Sequence, residues 1–445
     1  MSLGELRRIL GPATGIAISC GMAVGAGILR VPGEVAALLP HPGWILGVWC
    51  FGALVASLDA FILAEMAAMA PRVGGLVAYV RLSFGPAAAF LVGWSMLLVT
   101  WPASLAFVAV ATGELVTGGA ETLVTGATAH GSARAIAAAV IAVVGGLNLI
   151  GLRFGARFEI AIVLLKMVLL GGVCVAAAVL APERKVPGTE AAATAGLTAT
   201  ALFAALGSAM QKVIFTYDGY ADAVYMAGET RDPGRALPRA LFTALLSITG
   251  LYLLANVTFV RVLGVDGLAG SRFPALEVAD AAFGAAGGQV LNFVALVVLV
   301  SAVNGYFLTG PRIARLLAEE GLAVQQLGRV PLSGAPVFGT LWLVVLAIAF
   351  AATNTFDDLL AITVPIIAAT TMLVAIGLLV QRRRAPARER PFRVRWAPLV
   401  VALQVAIGAV LLASFVAANP WAVAIDAAAL LAGLGVYWFA RRRSR

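Results

Sequence analysis

The chain has 445 residues, of which 61% are hydrophobic and only 12% charged, with a net charge of +9. A soluble domain carries about 25% charged residues, and a mean hydropathy of +0.98 leaves too little polar surface to cover a water-soluble globule. Disorder requires low hydrophobicity and is excluded. A disulfide scaffold is excluded because the three cysteines (Cys20, Cys50, Cys174) lie inside apolar runs. Long continuous apolar runs are not the alternating strands of a barrel, so the composition predicts an all-α polytopic protein in a lipid bilayer.

A spanning helix needs about 20 apolar residues. The chain offers about twelve such segments, at 14–38, 43–68, 85–112, 134–151, 158–181, 199–229, 238–262, 288–317, 336–352, 358–381, 396–416 and 421–440. The first is long and continues past small residues, so it reads as a spanning helix rather than a cleaved signal. Residues 71–84 read as a short cytoplasmic amphipathic piece and 268–285 as a short external helix. The segment 382–395 (RRRAPARERPFRVR) reads as a basic, proline-broken cytoplasmic linker. It separates a ten-helix core, residues 1–381, from a final helix pair and basic tail, residues 396–445.

Only three lysines occur, Lys166, Lys185 and Lys212, so the basic character is almost all arginine. A nucleic-acid binder can be this basic, but here the arginines sit in alternate short connections, from Arg7 and Arg8 to the tail at Arg441–Arg445. That is the positive-inside pattern, and with an even helix count it predicts a multi-pass protein of the plasma membrane with both termini cytoplasmic.

Two predicted spans are interrupted. The first holds Gly21, Gly25 and Gly27, followed by Pro32; the sixth holds Tyr217-Asp218-Gly219-Tyr220 in mid-run. Such breaks survive in lipid only where they line a protein cavity. They open two five-helix sets, about 14–181 and 199–381. Paired interruptions at matching places in two halves point to a transporter site. Close helix packing is the plainer reading of Gly21 and Gly25, which have small-xxx-small spacing.

At these residues the chain resembles the bacterial L-type-like amino acid permeases of the amino acid–polyamine–organocation superfamily. The likeness is carried by VGAGILRVPG in the first span, AEMAAMAPRVGGLVAYVRLSFGPAAAFLVGWS after the second and FTYDGYADAVYMAGETRDPGRALPRAL in the sixth. NGYFLTGPRIARLLAEEGL in the eighth and ERPFRVRWAPL before the eleventh complete it. The resemblance implies a leucine-transporter-type fold, a five-plus-five inverted repeat with two further helices. It also implies secondary active transport of amino acids by alternating access, sodium-independent and either proton-coupled or an exchange. Polyamines or other organocations as substrates, and a transporter-like sensor, remain alternatives. No cofactor and no metal are implied.

Helix N-termini offer free N–H groups to a carboxylate, and unwound carbonyls offer acceptors to an ammonium. Carried over on the motifs, the N–H groups of Gly25, Ala26 and Gly27 would hold a substrate carboxylate. The carbonyls of Ala23 and Phe215 would take its ammonium near Asp218, with Phe215 as an aromatic gate. Asp218 has two readings: a carboxylate that binds ammonium or a proton, or an N-cap of the following half-helix. Lys166 lies mid-span in EIAIVLLKMVLLGG, where an ammonium faces the bundle interior. The resemblance implies that it replaces a sodium site and bridges the first and eighth spans. Glu65 and Glu229 fall near arginine-bearing connections and are candidates for gating ion pairs. Arg30, Lys212, Asn304 and Arg312 are noted without a substrate role. An enzyme is disfavoured: His41 and His130 fall in loops, and no metal-ligand or nucleophile–base spacing appears.

Overall fold

A computed structural model of the chain describes residues 11–72, 74–118, 127–149, 156–181, 198–319, 321, 326 and 337–443. Every regular element among them is helical. In chain order they are α1 (Pro12–Ala23), α2 (Ala26–Leu38), α3 (Pro42–Met69), α4 (Gly75–Phe84), α5 (Pro86–Ser95) and α6 (Trp101–Gly118). There follow α7 (Ala127–Leu149), α8 (Ala156–Leu180), α9 (Ala199–Asp218), α10 (Pro233–Gly270), α11 (Pro274–Phe283) and α12 (Ala285–Glu319). The last four are α13 (Val337–Thr353), α14 (Phe356–Arg384), α15 (Ala397–Ala418) and α16 (Pro420–Arg443).

Eleven helical runs among the described residues are long and apolar enough to cross a membrane. The shorter apolar helix α13 stands where the ninth span is predicted. Prolines in the first turn start α1, α3, α5, α10 and α11, where a missing N–H costs nothing. A capping box starts α14: Thr355 Oγ1 accepts from the N–H of Asp358, and Asp358 Oδ2 accepts from that of Thr355 at 2.9 Å.

Three elements depart from the sequence expectation. Residues 75–84 do form a short helix, but one more deeply enclosed than an amphipathic piece: Tyr79 and Val80 are fully buried and Leu76 reaches a central cavity, so α4 is an inserted element of the bundle. Its apolar residues outnumber the face that an amphipathic helix needs. The third span is not one regular helix, because Met96–Thr100 is wound as π-helix between α5 and α6. The seventh is longer than predicted, and Gly264 (φ 71°) redirects its last turn. The predicted end of the fourth span, residues 150–151, lies outside the described residues.

The bundle has two ends. One carries the connection at 70–74, the turn at 231–232 and the linker after Arg384, and is rich in arginine. The other carries the connections at 39–41, 271–273 and 354–355 and is poor in it. The run α5–α6 is the most enclosed, with nearly every residue of α6 buried. The broken first span packs against α10 through both α1 and α2, and α2 also packs against α9 and α6; α9 in turn packs against α3 and α15.

Candidate functional site

The first span is broken outright. α1 ends at Ala23, Val24 (φ −78°, ψ 84°) and Gly25 (φ −147°, ψ −139°) leave helical geometry, and α2 restarts at Ala26. Side chains take up the carbonyls so released. The ammonium of Lys166, 2% exposed in α8, donates to Gly21 O at 2.5 Å and Val24 O at 2.8 Å. The hydroxyl of Tyr252 in α10 lies 2.7 Å from Ala23 O and 2.9 Å from Thr216 O, tying the break to α9. Ala23 O also accepts the N–H of Gly25 at 2.9 Å. Two backbone groups singled out for substrate contact are therefore bonded to each other in this conformation. Ala26 and Gly27 occupy the first turn of α2, where N–H groups have no carbonyl one turn back in their own helix.

The sixth span is not broken. α9 passes at Asp218 into a 3-10 helix, Gly219–Glu229, a long run for this tighter winding. Asp218 itself is helical (φ −50°, ψ −37°) and its carboxylate makes no capping bond, which overturns the N-cap reading. A cap needs an extended residue whose side chain folds back onto the next turn, and here the helix simply continues. Two glycines let the first and sixth spans touch. A Cβ on Gly219 would sit 2.4 Å from the Ala23 nitrogen, and one on Gly27 would sit 2.6 Å from Thr216 Cγ2.

These elements enclose a central cavity. Ala26 and Gly27 face it from α2, Phe215, Asp218 and Asp222 from the sixth span, and Thr100 and Ser104 from beside the π turn. Leu76 and Tyr306 close it from α4 and α12. No cation or hydrogen-bond donor among the described residues pairs with either carboxylate. Asp222 escaped the sequence reading. An acid inside an apolar span is its signal, the same one that flagged Lys166.

Aromatic rings cap the cavity toward the arginine-poor end: Phe215 packs on Phe107 (4.5 Å between centroids), and Phe107 on Phe356 (3.9 Å). The Arg30 guanidinium lies 3.9 Å over the Phe356 ring. It pairs with Glu34 at 2.9 Å and with Glu114. Lys212 pairs with Glu34 at 2.6 Å and with Asp357. One charged cluster thus joins α2, α6, α9 and α14 over the aromatic lid. The sequence marked Arg30 and Lys212 but not the three acids, which are far apart in the chain.

At the arginine-rich end both candidate gating acids have arginine partners. Glu65, fully buried in α3, accepts from Arg382 at 2.9 and 2.5 Å and from the Val394 N–H at 2.7 Å, with Arg390 3.6 Å away. The linker therefore lies against the core. Glu229 pairs with Arg312 of α12 at 2.9 Å. Asn304 takes part in packing, accepting from Asn148 of α7 at 2.8 Å.

A central cavity where a broken first span crosses a sixth span wound as 3-10 helix, with charged contacts at both ends, is the arrangement of a membrane-transport fold. The chain belongs to the amino acid permease family, whose model matches residues 10–438. It is 23% identical to the serine/threonine exchanger SteT of Bacillus subtilis, over 98% of both chains. It is 27% identical to the mouse b(0,+)-type amino acid transporter 1 over 71% of its own length, and spans 64% of that relative's. Among solved structures it is similar to MhsT, crystallised with L-phenylalanine, with a TM-score of 0.62 at 15% identity, covering 93% of this chain and all of that one. That likeness establishes the leucine-transporter-type fold.

Proposed function

We propose that the chain carries amino acids across a bacterial plasma membrane by alternating access, independently of sodium. The observation that carries the reading is the polarity of the central cavity. Ala26 and Gly27, in the first turn of α2 where N–H groups lack a helical partner, line one side, and Phe215 and the unpaired Asp218 line the other. A zwitterion matches both: its carboxylate takes the helix N-terminus and its ammonium the acceptors. The relatives named as amino acid transporters support the class. In this reading both termini and the linker are cytoplasmic, as the arginine distribution implies. The ten-helix core does the transport. Arg30, Lys212 and their acids form the outer gate, and Glu65 and Glu229 hold the inner one. Lys166 supplies a fixed positive charge to the break, where a sodium ion would otherwise be needed.

The second reading is a polyamine or other organocation substrate. Two carboxylates without a cation in one cavity favour it, since a buried charge is costly unless paired. The test is uptake of a labelled amino acid panel and of polyamines into proteoliposomes in sodium-free buffer, with and without loaded internal substrate. Uptake of an amino acid without sodium is the expected result. Uptake confined to polyamines would transfer the assignment to the second reading, and a requirement for sodium would remove the role given to Lys166.

A further inference from the structure

Asp218 borders a second cavity, on the far side of the sixth span from the first. This side cavity lies between α3, α9, α14 and α15, and its polar lining is Asp59, Tyr217, Asp218, Tyr220, Thr371 and Gln404. Asp59 is in the middle of an apolar span and is 6% exposed. Its Oδ2 accepts from the Tyr220 hydroxyl at 2.7 Å. Its Oδ1 is buried with no partner. Gln404, 4% exposed and reaching in from α15, leaves its Oε1 buried without a partner as well.

Both orphan atoms of this lining are acceptors, so the cavity is short of hydrogen rather than of oxygen. An ionised carboxylate accepts only, whereas a protonated one also donates. Facing Asp59 are Tyr220 and Asp218 from the sixth span, Gln404 from α15 and Thr371 from α14, with Asp222 and Tyr225 further along the 3-10 helix. None carries a positive charge, and no arginine or lysine among the described residues pairs with Asp59. Leaving a carboxylate ionised there is costly without a countercharge.

We propose that this side cavity is a proton-binding site. Asp59 is the group that takes the proton, and Asp218, shared by both cavities, is the carboxylate through which its occupancy reaches the substrate. The proton adds to the Asp59 carboxylate as an O–H and leaves from the same oxygen, so nothing else is made or broken. With Asp59 ionised, a negative charge stands behind Asp218 and raises the cost of charging it. With Asp59 protonated that repulsion is gone, Asp218 ionises more readily, and an ammonium binds it better. Substrate and proton then bind together, which is symport. The inference rests on the transport reading above and selects the proton over exchange alone.

The experiment reconstitutes the full chain in liposomes containing a pH-sensitive dye, with membrane voltage clamped. Counterflow of amino acid at equal pH on both sides tests transport alone. An inward proton gradient tests coupling. In the wild type the gradient drives accumulation and substrate acidifies the lumen. Asp59→Asn keeps counterflow but reduces gradient-driven accumulation to the level seen without a gradient, and Asp59→Glu restores it. Tyr220→Phe keeps the carboxylate and moves the pH of half-maximal stimulation upward, because the donor that favours the charged form is gone. Infrared difference spectra between two pH values read the site without transport: the wild type is expected to show a titrating carboxyl band that Asp59→Asn removes and Asp218→Asn leaves in place. Gradient-driven accumulation by Asp59→Asn, or wild-type counterflow with no proton movement, would overturn the proposal. A titrating Asp59 band in a protein without counterflow would support the proton site and remove the transport reading instead.

Discussion

The first and sixth spans carry similar glycine-marked interruptions, yet they solve the problem of a broken helix in opposite ways. The first opens at Val24 and Gly25, and its loose carbonyls are claimed by Lys166 and Tyr252. The sixth never opens; it tightens into a 3-10 helix and places Asp218 and Asp222 on the cavity. In lipid a freed backbone group needs a protein partner. The first span has a buried ammonium in α8 to supply one, so it can afford a true break. The sixth keeps its backbone bonded and presents side-chain charge instead. One half of the site therefore offers backbone N–H groups and the other carboxylates, which gives an asymmetric pocket from a pseudo-symmetric pair.

The sharpest way to break this comparison is Lys166→Met. It fills similar space but leaves Gly21 O and Val24 O without the ammonium, each at a cost of about 1–3 kcal/mol if nothing replaces it. Uptake at matched protein level should fall by more than about tenfold. Uptake within about twofold of wild type would mean that the break holds without its cation.

A smaller and more selective effect is expected from glycine substitutions on the two sides of the crossing. In Gly219→Ala the new methyl meets the Ala23 nitrogen at 2.4 Å, a backbone atom that cannot rotate away. In Gly25→Ala it meets the Ala302 Cβ at 3.6 Å and the Met22 carbonyl oxygen at 3.8 Å, both ordinary van der Waals contacts. Overpacking of the first kind costs about 1–3 kcal/mol, so Gly219→Ala should lose most of its substrate affinity and Gly25→Ala considerably less. Equal losses in a ligand-dependent melting assay would show that close approach of the two spans is not what Gly219 provides.

How far the sequence carries this picture depends on whether a feature is local. The break at Gly25 was legible because a glycine cluster in an apolar run weakens the helix wherever it occurs. Lys166 was legible because one ammonium in mid-span is costly. Asp59 and Asp222 obey the same rule and could have been found by it, but Asp218 beside a glycine drew the attention of the motif. The winding of the sixth span was not legible, since α and 3-10 helices share residues and differ in packing. Nor was the charged cluster: Glu34, Glu114 and Asp357 lie in three separate spans, and only the fold brings them to Arg30 and Lys212.

That cluster supports the smallest prediction and a fine test of which end of each span does the work. Asp357 is the member most open to solvent, with 63% of its side chain exposed, and Lys212 retains Glu34 when it is removed. Exposed ion pairs contribute about 0–1 kcal/mol, so Asp357→Asn should change uptake by less than about threefold. The change should shrink as salt is raised, because screening already weakens the wild-type pair. Glu34→Gln removes the acid that both Arg30 and Lys212 share, 18% exposed, and should cost more than Asp357→Asn. If the two variants instead lose the same amount at every salt concentration, the four helices are not closed by a shared charge at Glu34. The aromatic stack of Phe215, Phe107 and Phe356 would then be the lid that holds that end shut.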